Sequence, residues 1–196
     1  MIAGLILSAG RSERMGRPKA LLPYAGTTFL GHIYSAALES SLDEVRIVLG
    51  HDPGTIVETL DLPLDAIVLN ENYGRGMLSS LQEGLRELLP LEPEAVVMML
   101  VDHPRISFTL LDDLIKAYRH GRGRIVIPVH GGRRGHPVLF ASELFDELLA
   151  APLEVGARQV VRANPELVYE LPVTEGGILE DIDTPQDFGR LEGQDE

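Results

Sequence analysis

The chain has 196 residues, a formal net charge of −13, 44% hydrophobic residues and no cysteine. Such a length fits one domain, and the missing cysteine excludes a disulfide scaffold, thiolate metal sites and a cysteine nucleophile. The acidity argues against a nucleic-acid partner, because cation–phosphate neutralisation dominates that kind of binding.

Ile2 to Leu7 is a short apolar run that reads as a strand buried on both faces. It carries no basic leader and no long apolar core, and no apolar stretch in the chain reaches the ~18 residues of a membrane span. A cytoplasmic location without a membrane partner is therefore the expectation. The strand runs into Ser8-Ala9-Gly10-Arg11-Ser12-Glu13-Arg14-Met15-Gly16-Arg17-Pro18-Lys19. In an open α/β sheet, ligands sit beyond the carboxyl ends of strands. This loop thus puts flexible backbone and four cations where a polyphosphate can bind. It is neither a dinucleotide fingerprint nor a P-loop. Five residues separate Gly10 from Gly16, and Lys19 is followed by Ala20. Only Lys19 and Lys116 are lysines in a chain otherwise reliant on arginine, and a compact ammonium suits a phosphate oxygen.

Thr27 or Thr28 caps a predicted helix reaching about Ser40, and Val45–Leu49 reads as a strand. Asp52-Pro53 matches an N-cap followed by proline at the first helical position, with a short helix to about Leu60. Ala66–Leu69 is a predicted strand. Gly76–Leu89 has helical spacing through Leu78, Leu81, Leu85 and Leu88. Ala95–Val101 is the most apolar run and the expected central strand. Asp102 follows it directly, at the same sheet edge as the opening loop. A carboxylate there can ligate Mg²⁺, which takes one or two carboxylates along with phosphate oxygens and water; it can equally cap the turn before Pro104.

Ser107 caps a predicted helix to about Tyr118. Ile125–Val129 and Val138–Phe140 flank Gly131-Gly132-Arg133-Arg134-Gly135-His136, a second cationic cluster, and are expected to pair antiparallel. Leu144–Leu149 and Val155–Ala163 read as helices, and Val168–Leu171 and Ile178–Leu179 as short strands. In Asp181-Ile182-Asp183-Thr184-Pro185-Gln186-Asp187, Pro185 fits the first helical position. Thr184 is then the N-cap and Asp187 its capping-box partner, which leaves Asp183 free to reach a metal. The helix closes at Leu191, so the domain spans 1–191 with an acidic tail over 192–196. Repeated βα units predict a three-layer α/β sandwich with a mainly parallel sheet and one antiparallel element.

These motifs, in this order, resemble the MobA-like nucleotidyltransferases, and within them the molybdenum-cofactor cytidylyltransferase branch. Leu7 to Lys19 is similar to that family's nucleotide loop. Asn70-x-x-Tyr73-x-x-Gly76-Met77-x-Ser79-Ser80-Leu81 resembles its second motif, near base and ribose. Asp102-His103-Pro104 stands where the family has an Asp-x-Pro metal motif. Gly135-His136-Pro137-Val138-Leu139-Phe140 resembles its acceptor-side motif, and Asp181 to Asp187 its closing one.

The resemblance implies a Rossmann-like nucleotide-diphospho-sugar transferase fold and transfer of a nucleoside monophosphate. By this resemblance Arg14 and Lys19 contact the triphosphate, and Asp102 and Asp183 hold Mg²⁺. Ser8, Ala9, Gly10, Arg11, Gly16, Asn70, Gly76 and Ser80 form the nucleotide site. Arg133, Arg134 and His136 face a phosphorylated pterin acceptor. Ala9 stands where the guanylyl branch commonly has glycine, which favours CTP over GTP. A molybdoenzyme or its maturation chaperone is the implied recipient of the product. A sugar-phosphate or polyol-phosphate acceptor, and a non-catalytic nucleotide-binding regulatory module, are the competing readings. Tyr73 is expected to stack on a ring or to pack. His103 is expected to pack or to make a local hydrogen bond.

Overall fold

A computed structural model describes residues 1–192. In chain order its elements are β1 (Ile2–Ser8), β2 (Pro23–Tyr24), β3 (Thr27–Thr28), α1 (Phe29–Glu39), β4 (Glu44–Leu49), α2 (Pro53–Leu60), β5 (Ile67–Leu69), α3 (Met77–Leu88), β6 (Ala95–Leu100), α4 (Phe108–Arg119), β7 (Ile125–His130), β8 (Arg133–Arg134), β9 (Val138–Ala141), α5 (Phe145–Ala150), α6 (Arg158–Ala163), β10 (Val168–Pro172) and α7 (Pro185–Glu192). The strands of the main sheet lie in the order β10-β7-β9-β6-β1-β4-β5, and the short β8 also pairs with the end of β7. β6 is thus central, as its composition predicts. It runs parallel to β1 and antiparallel to β9, and β9 is also antiparallel to β7 through Ile125↔Phe140 and Val126↔Leu139. This is the antiparallel element the sequence predicts.

Alternation along the strands builds two cores. Ile2 and Ile6 of β1 and Val97 and Met99 of β6 face Leu30 and Ile33 of α1 and Leu111 and Leu114 of α4. Leu5 and Leu7 of β1 and Val96 and Met98 of β6 face Leu81 and Leu85 of α3 and Phe145 of α5. Helices therefore cover both faces, and every residue of β1 and β6 is buried. Thr28 is the cap of α1, accepting from Gly31 N at 3.1 Å, and Ser107 caps α4 by accepting from Leu110 N at 3.2 Å. No helix among the described residues is long and apolar enough to cross a membrane.

Local structure departs from expectation in three places. Asp52 precedes Pro53 as predicted but sits in the left-handed region (φ 49°), and its side chain makes no cap bond. Helix α6 begins at Arg158 rather than Val155. Ile178 and Leu179 belong to a 3₁₀ turn, Gly176–Leu179, not a strand. Ile178 is buried, and its carbonyl accepts from His136 N at 3.0 Å, an isolated bond rather than a ladder. Of the expected acidic tail, Glu192 ends α7 and residues 193–196 lie outside the described chain.

Candidate active site

The opening loop is closed by its own backbone. Met15 N and Gly16 N donate to Ser12 O at 2.9 and 3.1 Å, and the Ser12 hydroxyl accepts from Lys19 N at 3.0 Å. Pro18 then leads into a 3₁₀ turn over Lys19–Leu21. The Lys19 side chain points back across the carboxyl ends of β1 and β6 and is only 12% exposed.

The far end of the chain reaches the same place through packing. Ile182, Phe188 and Leu191 form an apolar cluster with Met15, Leu22 and Phe29. Ile182 N also donates to Asp102 O at 2.8 Å. Thr184 and Asp187 form the predicted reciprocal cap: Thr184 N donates to Asp187 Oδ2 at 2.9 Å, and Asp187 N donates to Thr184 Oγ1 at 3.2 Å. Asp183 N contacts the same Asp187 oxygen at 3.3 Å. The Asp183 carboxylate is thereby fixed beside the loop, 164 residues from Lys19 in sequence.

Lys19 Nζ lies 2.5 Å from Asp183 Oδ1 and 3.3 Å from Asp102 Oδ2, and Arg14 Nη2 lies 2.7 Å from Asp183 Oδ2. Two cations and two carboxylates thus form one linked group. The hydrogen bond from Lys19, reinforced by the charges of Lys19 and Arg14, holds the Asp183 carboxyl below the usual carboxylate range.

A cavity of about 430 Å³ opens beside this group. Ser8, Ala9, Gly10, Arg11, Arg14, Lys19, Gly76, Ser80, Asp102 and Asp183 all line it. Two predicted nucleotide-site residues shape the wall instead of lining it. Gly16 closes the loop turn. Asn70, 2% exposed, donates to the hydroxyls of Ser79 and Ser80, each at 3.0 Å, and accepts from Asn72 N at 2.9 Å. This buried network anchors the start of α3, where Gly76 takes φ +100°, a conformation only glycine adopts readily. Tyr73 also lines the cavity, with the Arg11 guanidinium 5.7 Å from its ring centroid.

Sequence reasoning missed Gly50. A Cβ there would lie 2.5 Å from Tyr73 Cβ and 2.8 Å from Ala9 O. Its missing side chain lets Tyr73 close against the opening loop. The only local signal is a glycine at the end of a strand.

The predicted acceptor cluster is split. Arg133 and Arg134 form the exposed strand β8, and Arg134 Nε is paired with Glu170 Oε1 at 2.8 Å. Neither lines the cavity, and His136 does not line it either. β8 pairs with β7 at the sheet surface, whereas His136 lies beside His103 with ring centroids 5.0 Å apart. Both histidines have a buried Nδ1 without a hydrogen-bond partner. Burial lowers the pKa of each, and burial together with the neighbouring His103 pushes His136 down to about 4.

A histidine kept neutral by folding takes up its proton more readily when unfolded, so the protein loses stability as pH falls from the ordinary 6.5 towards 4. His136→Gln is expected to flatten that part of the pH–stability curve, read from urea midpoints at pH 7 and pH 4.5. An unchanged slope would contradict the assignment of His136 as a group the fold holds neutral.

The chain matches the MobA-like NTP transferase domain over residues 4–168. It belongs to that family. The nicotine blue oxidoreductase of Paenarthrobacter nicotinovorans is 31% identical over 97% of this chain and 96% of that protein. The molybdenum cofactor cytidylyltransferase of Escherichia coli is 25% identical over 94% of this chain and 92% of its own. Rv0371c from Mycobacterium tuberculosis superposes with a TM-score of 0.83 at 32% identity, covering 97% of this chain and 96% of that one, and has also been solved with manganese. The MobA-like chain is therefore a nucleotidyltransferase with the nucleotide-diphospho-sugar transferase fold, related to the molybdenum cofactor nucleotidyltransferases. The matched segment ends before Asp183; the relatives align beyond it.

Enzymes of this family use a divalent metal, and the donor set here fits one of a particular kind. Asp102 and Asp183 are hard oxygen donors, suited to Mg²⁺ or Mn²⁺. Among the described residues no group of three or more His, Cys, Asp or Glu side chains could hold a metal ion. Two carboxylates fit an ion that draws its other ligands from phosphate and water.

Proposed function

We propose that this MobA-like protein transfers a nucleoside monophosphate from a nucleoside triphosphate, CTP in preference to GTP, to the terminal phosphate of molybdopterin, releasing pyrophosphate with the help of Mg²⁺. The observation that carries this reading is the convergence of Arg14, Lys19, Asp102 and Asp183 at one cavity mouth. The E. coli cytidylyltransferase supports the acceptor class, and Ala9 supports the base.

An acceptor phosphate oxygen attacks the α-phosphorus, and the bond to the pyrophosphate oxygen breaks. The acceptor is already anionic near neutral pH, so the chemistry needs positioning and charge neutralisation more than a general base. Backbone N–H groups of the opening loop hold the β- and γ-phosphates. Lys19 and Arg14 neutralise charge that grows on the departing pyrophosphate. Asp102 and Asp183 would hold the Mg²⁺, which when bound supplies Lewis acidity and a template at the phosphates. The buried Asn70 network keeps Gly76 and Ser80 on the cavity wall. The acceptor approaches past Asp102 on the side of the His103–His136 pair, which stands outside the cavity lining, and the enzyme passes the nucleotidylated pterin to a molybdoenzyme or a maturation chaperone.

Gly50→Ala forces Tyr73 or the Ala9 carbonyl to move, an overpacking that costs about 1–3 kcal/mol. CTP affinity is expected to fall roughly tenfold, read by calorimetric titration. Wild-type affinity would show that this wall does not shape the nucleotide site.

The reading as a whole is tested by mass spectrometry of molybdopterin incubated with protein, Mg²⁺ and CTP or GTP. A cytidylylated pterin with an equal amount of pyrophosphate is expected. The relative named nicotine blue oxidoreductase favours a second reading, an oxidoreductase. Absence of pyrophosphate with every nucleotide, alongside redox turnover of nicotine blue, would favour that second reading.

A further inference from the structure

We infer that Lys19 is the residue that disfavours the free divalent ion at this site, so that Asp102 and Asp183 hold a metal well only alongside a nucleoside triphosphate. The inference rests on the nucleotidyl-transfer reading above and specifies when its metal is held. Lys19 Nζ bridges the two carboxylates, 2.5 Å from Asp183 and 3.3 Å from Asp102, and Arg14 engages the second Asp183 oxygen at 2.7 Å. The four groups balance, two positive charges against two negative. A free divalent ion must compete with the ammonium for the same oxygens, and it adds two charges that nothing offsets. Lys19 is largely enclosed, which strengthens the competition relative to a solvated pair.

A triphosphate changes both terms. Its oxygens draw the ammonium and guanidinium towards themselves, which frees the carboxylates. Its negative charge also more than offsets that of the metal. Among the described residues no group of three or more His, Cys, Asp or Glu side chains could hold the ion otherwise, so phosphate oxygens would supply further ligands. Lys19 thus couples metal and nucleotide binding: each strengthens the other by the same factor.

Mn²⁺ binding, read by electron paramagnetic resonance of the free ion, tests this without an activity readout. Wild-type protein, Lys19→Met and Lys19→Ala are titrated with Mn²⁺ alone and again with the non-hydrolysable α,β-methylene analogue of CTP, after melting curves confirm folding. Both variants are expected to bind free Mn²⁺ at least about tenfold more tightly than wild type. Adding Asp183→Asn to either should abolish the gain. Wild type is expected to retain Mn²⁺ well only with the analogue present. Free-ion affinity in both variants equal to or weaker than wild type overturns the role of Lys19, while a ternary complex in wild type keeps the metal assignment intact. If wild type forms no ternary complex with Mn²⁺ and the analogue, the underlying metal and nucleotide reading fails instead, and this inference with it.

Discussion

Asp102→Ala is expected to lower turnover by on the order of 100-fold or more, the scale seen when one transition-state charge stabiliser is removed. Stability should change little, because the side chain is partly exposed and, among the described residues, its ion pair is with Lys19, which keeps Asp183 as a partner. The Asp102 carbonyl, not the carboxylate, holds Ile182 in place, and the substitution leaves that bond intact. Loss of turnover without loss of folding separates a role in chemistry from a role in architecture. Pyrophosphate release close to the wild-type rate in a purified Asp102→Ala variant would remove Asp102 from the metal site.

Phe188→Ala tests the opposite link, from packing to geometry. Phe188 is buried against Phe29, with ring centroids 6.0 Å apart, and shares a cluster with Met15, Leu22 and Ile182. Truncating a buried phenylalanine costs about 3–5 kcal/mol. For a chain of this size that corresponds to a melting point lower by roughly 10 °C. The same cluster seats the segment bearing Asp183 on the loop bearing Lys19. Activity per folded molecule is therefore expected to fall as well, measured well below the new melting temperature. A destabilised variant with full activity would show that the backbone bond from Ile182 to Asp102, with the Thr184–Asp187 cap, is enough to place Asp183.

Much of the site was legible because its determinants are local. The strand–loop–cation pattern from Ile2 to Lys19 sets both the sheet edge and the charge that gathers there. Thr184, Pro185 and Asp187 could be sorted by capping rules alone, which left Asp181 and Asp183; the family resemblance chose Asp183, which the structure brings against Lys19. What escaped the sequence depends on distant partners. Gly50 matters only because Tyr73 and Ala9 meet over it. Asn70 reads as a contact residue from its motif, yet its amide is consumed by Ser79 and Ser80. Arg133, Arg134 and His136 look like one cluster because they are adjacent in sequence. Antiparallel pairing of β8 with β7 leaves the arginines exposed, while the histidine is half-buried with its Nδ1 enclosed. Ile178 and Leu179 have strand-like character but no neighbouring strand to pair with, so a 3₁₀ turn forms instead.

The most direct measurement is a crystal structure of the protein with Mn²⁺ and the α,β-methylene analogue of CTP, collected to give anomalous signal from manganese. The account predicts one manganese peak between the Asp102 and Asp183 carboxylates, shared with the analogue's phosphates, and Lys19 and Arg14 turned onto those phosphates. A triphosphate bound elsewhere, or manganese far from both aspartates, would contradict it.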